Sequence, residues 1–295
     1  MKKKLDISTV VFAFIFLVGL SVMLYPTFSN WWNLRHQTRA VASYKEAVAQ
    51  LDDGKAEEML AQAHEYNNKL AKLFAPFSDF DEIEGYNDIL NVSGTGIMGY
   101  ISIPNINVEL PIYHGTSEGV LQIATGHIQG SSLPVGGANT HAVISGHRGL
   151  PSARLFTDLD KMVEGDIFTV NILNEVFTYE VEKILVILPT ETQELSIIPN
   201  KDYVTLMTCT PYGINSHRLL IRAHRIATVY DRQVKVSADA MQVDNMKVFG
   251  IVLAILVAFL LIYWNINGRY RKNITIDRYI INKLPKERRD NDNES

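Results

Sequence analysis

Residues 204–225 read Val-Thr-Leu-Met-Thr-Cys-Thr-Pro-Tyr-Gly-Ile-Asn-Ser-His-Arg-Leu-Leu-Ile-Arg-Ala-His-Arg, and they hold Cys209, the single cysteine of a 295-residue chain. An apolar, β-branched run at 204–208 leads into the turn-forming cluster Thr210-Pro211-Tyr212-Gly213, and a second extended run, 216–224, follows within a few residues. Two such runs joined by a Pro- and Gly-containing loop predict a β-hairpin. Period-2 alternation puts Arg218, Leu220, Arg222 and His224 on one face, and His217, Leu219, Ile221 and Ala223 on the other. Antiparallel pairing about Gly213 and Ile214 sets Cys209 nearly opposite Arg218, a guanidinium close to a thiol. By residue type a free cysteine is most often a small buried hydrophobe. Whether this one is reactive instead turns on the compartment.

Two segments are too apolar for an ordinary soluble domain. Residues 7–25 form a run of 19 without a charge, and 248–264 a run of 17. At about 1.5 Å per residue each approaches the length that crosses a hydrocarbon core. Tyr25, Trp31 and Trp32 flank the first, and Tyr263 and Trp264 close the second, as aromatic residues do at headgroup level. The alternative for the first run is a cleaved signal peptide, but its length and its exit through Tyr25-Pro26 favour an uncleaved anchor. Lys2, Lys3 and Lys4 precede the first run, while Arg269, Arg271 and Lys272 follow the second. Both termini are therefore expected in the cytoplasm and the intervening chain outside.

Charge agrees with that arrangement. The totals are 28 basic and 32 acidic residues; removing residues 1–6 (3 and 1) and 269–295 (8 and 5) leaves 17 against 26, a net of −9. So acidic a middle is a poor partner for nucleic acid. Outside the membrane the surroundings are usually oxidising, and a lone thiol has no partner for a structural disulfide. Such a cysteine is either sealed in the core or kept for its reactivity.

Between the first apolar run and the main domain, helical spacing predicts two helices, about 33–51 and 55–73, interrupted by Asp52-Asp53-Gly54 and forming a stalk. A Pro-broken segment follows, Ala75-Pro76-Phe77-Ser78-Asp79-Phe80-Asp81, whose pattern reads as a linker. From Gly96 the texture changes to short strands with frequent turns: 98–103, 108–113, 141–145, 167–173, 176–188 and the terminal pair. Six to eight strands in about 130 residues predict a mainly β domain closed into a barrel, or nearly so. Short helical pieces are expected near 120–123 and 152–159. No metal-ligand spacing or phosphate-cradling glycine loop is evident. The tail, 265–295, is basic and then mixed polar.

A reactive thiol needs a base or a cation beside it, because an ordinary cysteine is only slightly ionised at neutral pH. His147, in Ile144-Ser145-Gly146-His147-Arg148-Gly149, is the candidate base, and Arg218 supplies positive charge where a carbonyl oxygen becomes an oxyanion. These residues carry a specific likeness. The run 205–213, Thr-Leu-Met-Thr-Cys-Thr-Pro-Tyr-Gly, continuing into Asn215-Ser216-His217-Arg218-Leu219-Leu220, resembles the active-site signature of class C (pilin-polymerising) sortases. Ser145-Gly146-His147-Arg148-Gly149-Leu150-Pro151-Ser152 resembles that family's histidine loop. Leu110-Pro111-Ile112-Tyr113-His114-Gly115-Thr116 and Gly126-His127 match in order. The likeness covers about residues 30–230, and a two-span topology suits the class.

The resemblance implies an eight-stranded sortase-type β-barrel at 96–230, preceded by an extracellular helical stalk and lid segment at 26–95. A span at 7–25 and a cytoplasmic start at 1–6 lie before it; a linker at 231–247, a span at 248–264 and the tail lie after it. It implies Cys209 as nucleophile, His147 as acid/base and Arg218 as the oxyanion or positioning cation. The implied reaction is a transpeptidation. Cys209 attacks the Thr–Gly amide of a Leu-Pro-x-Thr-Gly-like sorting signal, and the thioacyl enzyme passes to a lysine amine of another pilin subunit, with no cofactor or metal. Class C enzymes commonly carry a lid reading Asp-Pro-aromatic. Here the matching position is Ala75-Pro76-Phe77, without the carboxylate, so a more weakly closing lid is expected; Asp79-Phe80 offers a shifted register. The rival readings are a housekeeping sortase that attaches proteins to cell-wall peptide, and a membrane-tethered binding module with a degenerate site.

Overall fold

Alternating burial along short β-rich runs closes the main domain into a barrel. The computed structural model describes residues 7–228 and position 256. The linker, the second apolar run and the tail expected after residue 230 otherwise fall outside the described residues.

Eight strands form the barrel: β1 (Ile97–Ile103), β2 (Val108–His114), β3 (Thr125–His127), β4 (Thr140–Ser145), β5 (Ile167–Ile172), β6 (Glu175–Ile187), β7 (Asp202–Thr210) and β8 (His217–Ile226). Their order around it is β1-β2-β3-β4-β7-β8-β6-β5, with β5 returning to β1. The β2–β3 and β4–β7 pairs are parallel and the other pairs antiparallel. Closure removes the open strand edges that invite aggregation. The interior is filled by alternate residues such as Ile101, Ile112, Ile144, Phe168, Tyr179, Leu206 and Ile221, all fully buried.

Two helices pack on the barrel. Helix α1 (Ile7–Ala49) carries the first apolar run and continues unbroken through Pro26 into the stalk. The separate helix expected at 33–51 is thus corrected: its residues are the second half of α1, and no turn chemistry at 26–33 stops it. Val41, Tyr44 and Val48, spaced three and four apart, are buried against the barrel. The Tyr44 hydroxyl donates to the Met98 carbonyl (3.0 Å) and accepts from the Leu173 amide (2.8 Å). Helix α2 (Asp53–Leu70) buries Ala56, Ala63, Tyr66, Asn67 and Leu70. Its Asn67 side chain exchanges two hydrogen bonds with the Leu133 backbone, at 3.0 and 2.7 Å.

Two short helices complete the order, α3 (Pro76–Asp79) and α4 (Glu118–Leu121). The segment read as a linker is therefore partly helical, with Pro76 at the first helical position, where its missing amide costs nothing. The helix expected at 152–159 is absent; turns lead instead into a 3-10 segment at Leu159–Lys161. Strand β3 was not expected, since three residues carry no readable period.

Candidate active site

Strand β7 ends where its outward face meets solvent. Val204 and Leu206 point into the barrel core, while Thr205, Met207 and Cys209 lie on the outer face. Cys209 is half-buried and its thiol is free. The β7–β8 register pairs Cys209 with Arg218 across the ladder, flanked by Thr208 with Leu219 and Thr210 with His217. Directly opposed residues in an antiparallel pair share a face, so thiol and guanidinium project to the same side. Arg218 Nη1 donates to the carbonyls of Asn215 (3.2 Å) and His217 (3.1 Å), which anchors it to the hairpin loop. A guanidinium has five N–H donors, so others stay free for an oxyanion.

His147 reaches the same end of the barrel from β4. Ser145 is in register with Met207 in the parallel β4–β7 pair. One residue on, the Gly146 amide donates to the Met207 carbonyl (3.0 Å) and the Thr208 hydroxyl donates to the Gly146 carbonyl (2.8 Å). His147 thus leaves the sheet from a backbone fastened to the two residues that precede Cys209. Its own carbonyl accepts from the Phe156 amide (3.1 Å), folding the loop back on itself.

The glycines around His147 have a steric reason. A Cβ on Gly146 would stand 2.7 Å from the Phe156 ring. Gly149 has φ +75°, and a Cβ there would meet the Tyr212 ring at 2.9 Å. The histidine loop and the β7–β8 hairpin loop therefore pack directly on each other, with Arg148 near the Tyr212 ring (5.8 Å) and ion-paired to Asp160.

Residues 75–77, expected to form a lid, lie against the face that carries Cys209. Phe77 packs on an apolar patch built from Val143, Met207, Leu220, Leu185, Ile187, Ile128 and Leu195. Gly130 makes room for it: a Cβ there would sit 2.8 Å from the Pro76 carbonyl oxygen and 2.9 Å from Phe77 Cα. Ala75 caps this short helix and carries no carboxylate to reach Arg218. A cleft of about 490 Å³ opens beside the lid, bordered by Phe74, Phe77, Gly130, His141, Leu195 and Ile197.

Sequence reasoning missed the wall of this face, the loop between β6 and β7. Arg222, facing outward from β8, bridges Glu194 of that loop and Glu182 of β6, both at 3.1 Å, and lies over the Tyr203 ring at 5.1 Å. His141 holds the same loop through Ser196 O (2.9 Å) and touches Thr205 Oγ1 at 2.7 Å. A carbonyl only accepts, so His141 Nδ1 carries the proton and Nε2 accepts from the threonine. Burial lowers the His141 pKa to about 4, and the ring is neutral. The available signal was the apolar character of both faces of 204–208 and 219–221, which marks an outer face that something covers. Among the described residues no group of three His, Cys, Asp or Glu side chains could hold a metal ion.

Comparison with known proteins adds the following. A family model described as the sortase domain matches residues 101–226. Sortase D of Bacillus subtilis is 32% identical over 115 residues, which is 39% of this chain and 55% of that protein, so the chain spans about half of this curated relative. Among solved structures, sortase C1 from Streptococcus agalactiae is 49% identical, covering 65% of this chain and 100% of that one, with a TM-score of 0.60. Sortase C of Clostridium perfringens, solved with the C-terminal cell wall sorting motif, is 41% identical, with coverage of 65% and 100% and a TM-score of 0.57.

Proposed function

The chain belongs to the sortase family, whose members are cysteine transpeptidases, and on that footing we propose that it polymerises pilin subunits bearing Leu-Pro-x-Thr-Gly-like sorting signals. The observation that carries the reading is the Cys209–Arg218 pair at an accessible strand end, with the His147 loop fastened to the two residues before the thiol. The likeness to C-group sortases, one of them solved with a cell wall sorting motif, supports the choice of substrate.

In this mechanism the Cys209 thiolate attacks the threonine carbonyl carbon, and the C=O electron pair moves to oxygen. Arg218 stabilises that oxyanion with N–H donors not used by the hairpin loop. The carbonyl re-forms as the C–N bond breaks, and His147 as imidazolium gives its proton to the departing glycine amine. The thioester stores the acyl group until a lysine amine attacks. His147 takes the proton from that amine, and Cys209 leaves as thiolate. Phe77 and its neighbours cover the groove between turnovers. The apolar first half of α1, long and apolar enough to cross a membrane, anchors the enzyme with its barrel outside the cell. A second span at 248–264 returns the tail to the cytoplasm.

Incubation of the protein with a sorting-signal peptide should give a mass adduct on Cys209, and Cys209→Ala should abolish both adduct and cleavage. Cleavage that persists in Cys209→Ala sinks the assignment. Supplying a pilin lysine and a cell-wall peptide as competing acceptors separates the polymerase from a housekeeping enzyme, and no adduct with any signal peptide points to a binding module.

A further inference from the structure

Helix α1 leaves its apolar run and meets the barrel almost at once. Phe28, Trp31 and Trp32 form an aromatic band on it, with ring centroids 5.8 and 6.4 Å from Phe28, and Arg35 lies over Trp31 at 4.9 Å. Phe28 and Trp32 are 59% and 52% exposed, so the barrel does not cover them. Aromatic residues with an adjacent cation are what a helix presents at headgroup level. The same turn grips the loop that follows His147. Asn33 Nδ2 donates to the Ser152 carbonyl (2.8 Å), and the Arg154 amide donates to Asn30 Oδ1 (3.0 Å).

The distances are short. Asn30 lies five residues beyond Tyr25, about 7.5 Å along the axis, while each headgroup layer is about 5–7 Å thick. We propose that the loop carrying His147, with the β7–β8 end of the barrel, rests against the headgroups of the bilayer through its junction with residues 28–35 of α1. The inference relies on the reading of α1 as a membrane span. It makes the Cys209 end of β7 the membrane-facing end. A rigid helix fixes the height, where a flexible stalk would let the site wander.

The test uses the full chain in lipid nanodiscs, with Cys209→Ala so that single introduced cysteines carry an environment-sensitive fluorophore. Labels are placed at Phe16, Arg154 and Lys201. Lys201 lies at the opposite end of β7, about 26 Å from Cys209 by strand rise. Lipids with a quencher in the headgroup should quench the Arg154 label severalfold more than the Lys201 label, while acyl-chain quenchers reach only Phe16. A label at Pro151 repeats the reading should loss of the Arg154–Asp158 ion pair disturb the loop. Quenching at Phe16 with Arg154 and Pro151 no more quenched than Lys201 overturns the inference and leaves the anchor intact. No acyl-chain quenching at Phe16 removes the anchor itself, and the inference with it.

Discussion

Phe77 is the residue through which we propose that the segment at 75–77 screens the thiol. It fills part of an apolar patch that includes Met207, two residues before Cys209 on the same face of β7. Ala75 offers no carboxylate here, and Phe77 packs by apolar contact. Truncating a partly buried aromatic removes about 1–2 kcal/mol of docking, on the order of tenfold in the open population. Phe77→Ala is therefore expected to raise the rate at which a small thiol reagent modifies Cys209, followed by mass spectrometry under pseudo-first-order conditions. An unchanged rate would falsify the covering role. The carboxylates of Asp79 and Asp81 follow this segment, but among the described residues neither is ion-paired to Arg218, whose Nη1 bonds to loop carbonyls.

Among elements, the β6–β7 loop depends on β8. Arg222 is only 12% exposed in its side chain and joins Glu194 to Glu182. Removing the guanidinium leaves Glu194 with Lys183 and Glu182 with His224, each at 3.5 Å, and loosens the loop, at a cost of about 1–2 kcal/mol after allowing for solvent screening. Arg222→Gln should raise KM for a sorting-signal peptide severalfold while kcat changes little, since Arg222 touches the wall and not the reacting atoms. Arg222→Lys should recover part of the loss. Equal falls in kcat and kcat/KM would instead place Arg222 in the chemistry.

At the scale of the molecule, two buried neutral histidines tie stability to pH. Burial is the main cause for both His127 and His141, and each pKa falls from its ordinary 6.5 to about 4. The unfolded chain binds protons that the folded chain refuses, so the stabilisation is complete above pH 6.5 and is lost as pH falls toward 4. Each contributes up to roughly 3 kcal/mol over that window. Asp202, raised by burial, has the opposite sign over the carboxylate range. Urea unfolding between pH 7.5 and 4.5 is expected to show falling midpoints, and His141→Gln a shallower dependence. A midpoint that stays flat over that range would show that neither ring is held neutral by the fold.

The hairpin, its alternation and the opposition of Cys209 to Arg218 were legible in the chain, because local period and loop length fix an antiparallel register. The apolar run at 7–25 was equally legible, from composition and length. Other features depend on groups far apart in sequence. The β4–β7 parallel pair that brings His147 beside the Cys209 end joins residues some 60 apart, and nothing local encodes it. The docking of Phe77 on the patch of Val143, Leu195 and Leu220 and the Arg222 clamp are likewise long-range. Sequence by itself singled out Cys209, His147 and Arg218 as candidates for the chemistry, since that choice is a matter of residue type, spacing and resemblance. Which surfaces are covered, and by what, was decided only when distant segments buried their apolar faces against one another.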